Sequence, residues 1–284
     1  MNFKEFGFHG DKTFKINSFD TKQTGKFNSK QEADKLHEEY LLRMQQLQDK
    51  LYAENKEALL IIFQAMDAAG KDGAIKHVMG GMNPQGIDVY NFKKPSSEEL
   101  DHDYLWRAMR VMPEKGKICI FNRSYYEDVL VDKVHYLYKD SRLPDRCKTD
   151  NIYDERYRQI KNYEKYLYDN GIRVIKFFLH ISKEEQKNRF LERIDDAEKN
   201  WKFSDYDMIE RDYWDKYMQA YSDAINATAT GHTPWYVVPS DKKWFARLII
   251  SEVIIKTLED IAPKYPTVSK ERKERLLEFR RKLI

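Results

Sequence analysis

Apolar and polar positions divide the chain into strand-like runs alternating with helical patterns. The strand-like runs are "ALLIIFQA" (58–65), "GIDVYNF" (86–92), "KGKICIFN" (115–122), "IRVIKFFLHI" (172–181) and "PWYVVPS" (234–240). Near-continuous apolar strands belong to a sheet covered on both faces. Strands separated by helical patterns build right-handed βαβ units, so an α/β domain with a central parallel sheet is expected. Ahead of the first strand, Ser29 is placed to cap a helix on which Leu36, Tyr40, Leu47 and Leu51 recur at helical spacing. Residues 1–28, rich in Lys, Gly and Asn with scattered Phe, predict an irregular arm lying on a surface. The stretch from Ser182 to Thr230 is longer than one crossover helix needs and is charged and aromatic throughout, the composition of a helical lid at about 183–230. Residues 267–284 predict a basic helix packed on one face and solvated on the other.

The 284 residues, 41% of them apolar, suffice for one large core, and one domain is expected, with an arm and helix over 1–55. Charged residues make up 34%, yet the net charge is only +3, so local clusters matter more than the total. Cys119 and Cys147, the two cysteines, have no metal-like or redox-like spacing. No disulfide framework, targeting segment or membrane-length apolar run is evident, so the expectation is a cytoplasmic protein with no membrane partner.

The chemistry begins after the first strand, in "MDAAGKDGAIK" (66–76). A strand that delivers a glycine turn into a helix makes an anion site, because turn amides and helix N-terminus point at the ligand. Lys71 adds a full charge; Gly70 and Gly73 allow close approach. Ala68, Ala69, Gly70, Lys71, Asp72, Gly73 and Lys76 are therefore candidate phosphate contacts. Two positions depart from the usual G-x-x-x-x-G-K-[ST]: Ala65 replaces the first Gly, and Asp72 replaces the Ser/Thr that would hold Mg²⁺. Asp67 is the informative residue. A carboxylate in a phosphate cradle repels the ligand unless a cation lies between them, so Asp67 either holds Mg²⁺ (or Mn²⁺) or braces the turn. His77 is read as packed or half-exposed rather than catalytic.

The third strand ends in "FNRSYYEDV" (121–129), at the strand edge where open α/β sheets bind ligands. Asn122 stands where an Asp would anchor metal. Glu127 and Asp128 restore negative charge one turn on. Arg123 is either a forked clamp on a transferring phosphoryl group or a structural ion pair. In the lid, Arg189 and Arg193 are spaced i, i+4 and share a helix face. Lys199 and Lys202 extend that charge, and Trp201 either packs the lid closed, the favoured reading, or stacks. Lys93, Lys94 and Arg107 are further basic candidates, and Glu98, His102 and Asp103 serve either as caps or in function.

Together, "MDAAGKDGAIK", "FNRSYYEDV", "KNRFLERIDDAEKNWKFSDYD" and "ATGHTPWYVVPSDKKWFARL", in this order from about residue 58 to 258, resemble the polyphosphate kinase 2 family. The resemblance implies a P-loop kinase-like, three-layer αβα fold with a helical lid. It implies Mg²⁺-dependent transfer of phosphate between inorganic polyphosphate and adenine or guanine nucleotides. Asp67 is implied to be catalytic and metal-linked, Lys71 to hold phosphate, and Arg189 to be the lid arginine that touches the transferring phosphate, with Arg193 and Lys202 along the polyphosphate. Asn122, Glu127 and Asp128 would face the nucleotide, and "SSEELDHDYLWR" (96–107) would border the acceptor pocket. The pattern N-R-S…E-D is similar to the class III branch, implied to phosphorylate both AMP and ADP. Members of the family often form homodimers or homotetramers.

Two rival readings remain at this level. An ATP-dependent nucleotide kinase shares the loop and the arginine lid, but the missing Ser/Thr and the added Asp67 speak against it. A GTPase is less favoured still, without an N-K-x-D motif. A nucleic-acid-binding module is disfavoured by the balanced charge and the lack of a reading motif, so no nucleic-acid partner is expected.

Overall fold

The computed structural model describes residues 4–27 and 29–284. Its six strands are β1 (Gly7–Phe8), β2 (Ala58–Ala65), β3 (Ile87–Asn91), β4 (Ile118–Asn122), β5 (Ile172–His180) and β6 (Trp235–Pro239). The helices are α1 (Lys30–Glu54), α2 (Lys71–Val78), α3 (Ser97–Leu100), α4 (Trp106–Met109), α5 (Val131–His135), α6 (Ile152–Asp169), α7 (Lys183–Asp195), α8 (Asp205–Asp212), α9 (Trp214–Thr228), α10 (Lys243–Ile261) and α11 (Lys270–Leu283). The sheet order is β1-β6-β5-β2-β4-β3, parallel except for β1.

The five strands read from the sequence are the five parallel strands. The crossover from β2 runs to β3 and the crossover from β4 runs past β2 to β5, so the connections leaving these neighbouring strands depart in opposite directions. That is the switch point at which an open α/β sheet binds ligands. Strand alternation gives each face its cover. Lys176 and Phe178 of β5 face α6 and α9, where Phe178 stacks on Tyr221 at 4.1 Å. Phe63 and Phe177, side by side on β2 and β5 at 5.2 Å, point to the opposite face. There α1, α2 and α10 pack together. Ser29 caps α1 as expected, accepting from the Glu32 amide. Cys119 is fully buried, and burial pushes its thiol up to about 12, as suits a core residue.

Three expectations are corrected. The N-terminal arm does not simply lie on a surface. β1 pairs antiparallel with β6, and Phe6, Phe8, Phe14 and Phe27 are buried, with Phe6 edge-on to Phe245 of α10. This covers the sheet edge that β6 would otherwise expose. The C-terminal helix α11 is not packed on one face: none of its residues is buried, and Leu277, Phe279 and Leu283 are exposed. Finally, α9 belongs to the core, with Trp214, Tyr217, Met218, Tyr221 and Ile225 buried, so only α7 and α8 have the placement of a lid. No helix among the described residues is long and apolar enough to cross a membrane.

Candidate active site

The site is built where β2 and β4 run out of sheet. After β2 the chain turns through Met66–Gly70 into α2. Ala68 has φ +60° and Gly70 φ +105°, and the latter is a conformation that only glycine adopts without strain. Lys71 opens α2 and is buried, its Nζ donating to the Ala65 carbonyl at 3.0 Å. Burial lowers its pKa, as does the Arg123 charge; Asp67, Glu127 and Asp72 act the other way. The ammonium thus points back along its own loop, onto the carbonyl at the end of β2. An added Cβ at Gly73 would meet Arg247 at 3.8 Å, ordinary contact, so that glycine is not required by packing.

Asp67 and Arg123 meet across the β2–β4 seam, Nη2 donating to Oδ1 at 3.0 Å. Arg123 has φ +63° and its amide donates to the Phe63 carbonyl at 3.0 Å. Asn122, buried, donates from Nδ2 to Asp72 at 2.7 Å. Its Oδ1 has no hydrogen-bond partner among the described residues. Glu127 and Asp128 divide between two neighbourhoods. Burial pushes the Glu127 carboxyl up, against the pull of Arg123 and Lys71, so Glu127 faces the loop cations. Burial raises Asp128 to about 7, against Arg156 and Arg107 on its other side.

That last shift has a testable consequence. Between the unfolded value near 4 and about 7, the folded protein holds a proton that the unfolded chain has released, so this group makes stability fall as pH rises. Asp128→Asn removes the loss. Its melting temperature should exceed that of the wild type by more at pH 8 than at pH 5; an equal difference at both would overturn the assignment.

The lid residues differ from expectation in what they touch. Arg189 is buried on α7, and its five N–H donors are engaged within the protein. Nε donates to Glu185 at 2.8 Å, Nη1 to the Ala68 and Ala69 carbonyls at 2.9 Å each, and Nη2 to the Ser240 and Asp241 carbonyls at 2.7 and 3.2 Å. In this conformation it has no donor left for a phosphate; it holds the phosphate loop instead. Arg193 donates to the Lys202 carbonyl and to Asp207, within the lid. Lys199 is paired with Glu192 and Asp196 and so adds no free charge. Trp201 does not pack the lid: it is 78% exposed, with the Lys202 ammonium over its ring at 5.1 Å. Lys76 and His77 are exposed on α2.

Beyond Asn122, at the end of β3, lies a cavity of about 280 Å³ lined by Tyr90, Phe92, Lys93, Lys94, Glu99 and Arg107. Arg107 lies over the Phe92 ring at 4.9 Å and donates to the Lys93 carbonyl. The neighbouring segment is capped as expected, Ser96 and Glu99 forming a reciprocal capping box. Within it Glu98 pairs with Arg110, His102 stacks on Trp106, and Asp103 accepts from the Leu105 amide: three local, structural contacts.

Three residues at the site were not among the candidates, Gln64 and Gln186 outside the motifs and Asp207 at the end of the stretch 187–207. Gln186 donates to the Asp67 carbonyl at 3.0 Å. Asp207 of α8 senses the Asp67 charge, which together with burial raises its carboxyl. Gln64 is fully buried, with neither amide atom hydrogen-bonded by geometry, although it lies close enough to Glu127 to steady that carboxylate. A polar residue inside the apolar run 58–65 was its one legible sign. Among the described residues no three His, Cys, Asp or Glu side chains converge as a metal cage. Asp67 nonetheless fits Mg²⁺, which is held by one or two carboxylates and completes its shell with water and substrate phosphates.

The Polyphosphate kinase 2 family profile matches residues 24–266. The chain is 46% identical to the ADP-polyphosphate phosphotransferase of Rhodopseudomonas palustris, across 99% of this chain and 98% of that one. It is 42% identical to the AMP/ADP-polyphosphate phosphotransferase of Meiothermus ruber, across 93% and 95%. The crystal structure of polyphosphate kinase 2 from Arthrobacter aurescens superposes with a TM-score of 0.84 at 38% identity, covering 93% of this chain and 92% of that one. A P-loop kinase-like sheet, a carboxylate–guanidinium pair inside its phosphate loop and family-wide similarity over nearly the whole length lead to one assignment: the chain belongs to the polyphosphate kinase 2 family and is a phosphotransferase.

Proposed function

We propose that the chain moves a terminal phosphoryl group from inorganic polyphosphate to AMP and ADP, reversibly, with Mg²⁺ or Mn²⁺. The observation that carries the reading is Asp67, ion-paired to Arg123 inside a phosphate loop that lacks the metal-binding Ser/Thr. The Meiothermus relative is named for both acceptors and the Rhodopseudomonas relative for ADP, which supports the same pair here. An acceptor phosphate oxygen attacks the terminal phosphorus, and the P–O bond to the rest of the chain breaks, leaving the donor one unit shorter. The acceptor is already anionic near neutral pH, so the site needs charge neutralisation and alignment more than a base. Lys71 and Arg123 would bind the transferring oxygens. Asp67 would hold the metal, which when bound neutralises phosphate charge. The cavity beside Phe92 and Arg107 suits the acceptor nucleotide. α7 and α8 would exclude water. Assembly as a homodimer or homotetramer belongs to this reading, supported by the uncovered apolar side chains of α11; a monomer mass by light scattering would remove it.

The test is direct. Protein incubated with polyphosphate, Mg²⁺ and AMP, without ATP, should yield ADP and then ATP by chromatography, once contaminating adenylate kinase is excluded. Product from ADP alone would narrow the acceptor. Product only when ATP is supplied would overturn polyphosphate as donor.

A further inference from the structure

Tyr125, Tyr126 and Trp235 belong to the sequence motifs and Thr228 directly precedes the last of them, yet none of the four is among the phosphate-site residues. They meet at one buried ion pair on the α6–α9 side of the sheet. Lys176 of β5 and Glu164 of α6 are both fully buried and joined by a short charge-assisted hydrogen bond. Lys176 spends its other two donors on the Tyr126 hydroxyl and the Thr228 carbonyl, each at 3.1 Å. The free side of the Glu164 carboxylate, Oε1, faces the hydroxyls of Tyr125 at 3.0 Å and Tyr126 at 2.8 Å. Thr228 Oγ1 accepts from Trp235 Nε1 at 2.9 Å. Every proton of the ammonium is satisfied, and five elements are tied at one point.

We propose that Glu164 and Lys176 are positioning residues that hold Arg123 in its left-handed backbone conformation beside Asp67. A non-glycine residue at φ +63° is sterically costly and persists only where its surroundings allow nothing else. On one side Arg123 is fixed by the hydrogen bond its amide donates to the Phe63 carbonyl, the continuation of the β2–β4 ladder. On the other, two residues on, Tyr125 and then Tyr126 are anchored to Glu164, and Ser124 bridges the gap by accepting from the Tyr126 amide at 3.1 Å. Between two fixed ends the strained residue cannot relax. The same anchor sets the start of the turn that carries Glu127. Stability alone does not account for the pair, because a buried ion pair is often no better than apolar residues of similar volume. A geometric role does. Thr228, the last residue of α9, joins the anchor, so the helix that follows the lid is referred to the same point.

The double substitution Glu164→Gln with Lys176→Met removes both charges and keeps the volume. Its melting temperature should stay within about 5 °C of wild type. Turnover should fall at least about tenfold, with KM for nucleotide and polyphosphate within about twofold, as expected when aligned transition-state contacts are lost. Amide exchange over residues 123–128 should accelerate while β2 and β5 stay protected. The exchange measurement needs no substrate, so it stands apart from the choice of donor and acceptor. Wild-type turnover together with wild-type exchange at 123–128 would overturn the proposal. If the double variant does not fold, Tyr126→Phe, which deletes one hydroxyl, carries the test: faster exchange at 123–128 with several-fold lower turnover supports the anchor, and wild-type values in both overturn it.

Discussion

Lys71→Met should lower turnover by about 10³-fold while leaving the melting temperature unchanged or raised. The two halves of that expectation have one cause. Lys71 is nine-tenths buried, and desolvation already disfavours its charge, with Arg123 adding repulsion. The folded protein therefore bears a cost to keep an ammonium at the mouth of the phosphate loop. Methionine has similar length and no charge, so the substitution relieves that cost and gives up one bond to the Ala65 carbonyl. What it removes entirely is the cation that the proposed function assigns to the transferring oxygens. In a closed, low-dielectric site such a charge is worth about 3–4 kcal/mol of transition-state stabilisation. Turnover with polyphosphate and ADP, measured beside a thermal melt, checks both halves. Near-normal turnover would remove Lys71 from the phosphate site. A large drop in melting temperature would mean that the ammonium braces the loop.

The sequence made the frame of this site legible because the frame is periodic or local. Five apolar runs bounded by turn residues became the five parallel strands. The loop after β2 announced itself by Gly70-Lys71, and the Asn122-Arg123 edge by a strand ending in polar residues. What stayed illegible depends on which tertiary neighbour a side chain meets. The i, i+4 spacing of Arg189 and Arg193 correctly put them on one helix, but spacing does not tell whether a guanidinium finds a phosphate or a set of backbone carbonyls. Lys199 looked like free charge, although Asp196 three residues earlier and Glu192 seven earlier neutralise it. The arm gave no signal because Phe6, Phe8, Phe14 and Phe27 are inserted one at a time into the core, without a repeat. α11 misled for the opposite reason. Its pattern is amphipathic, yet nothing within the described residues covers its apolar side chains. The buried Lys176 could only have been noticed as a charge inside an apolar strand, and its partner Glu164 sits on an otherwise ordinary helix.

Arg189 is where the two readings of the lid separate. If it acts by holding the loop, Arg189→Ala should damage fold and catalysis together. The substitution leaves the carbonyls of Ala68, Ala69, Ser240 and Asp241 without the donor that now serves them, and strips Glu185 of its ion partner. Breaking a buried charged network from one side costs about 3–5 kcal/mol, which in a domain of this size corresponds to a melting temperature lower by about 10 °C. The loop that presents Lys71 and Asp67 would lose its support, and turnover should fall by about 10²-fold or more. Arg189→Lys, with three donors in place of five and no planar fork, should give intermediate losses in both quantities. A direct phosphate contact predicts a different pattern. Turnover would collapse in Arg189→Ala while the melting temperature of the free protein barely moved, because the contact would exist only with substrate bound. Melts of both variants without ligand, set beside their turnover, therefore decide whether the arginine works on the substrate or on the loop that receives it.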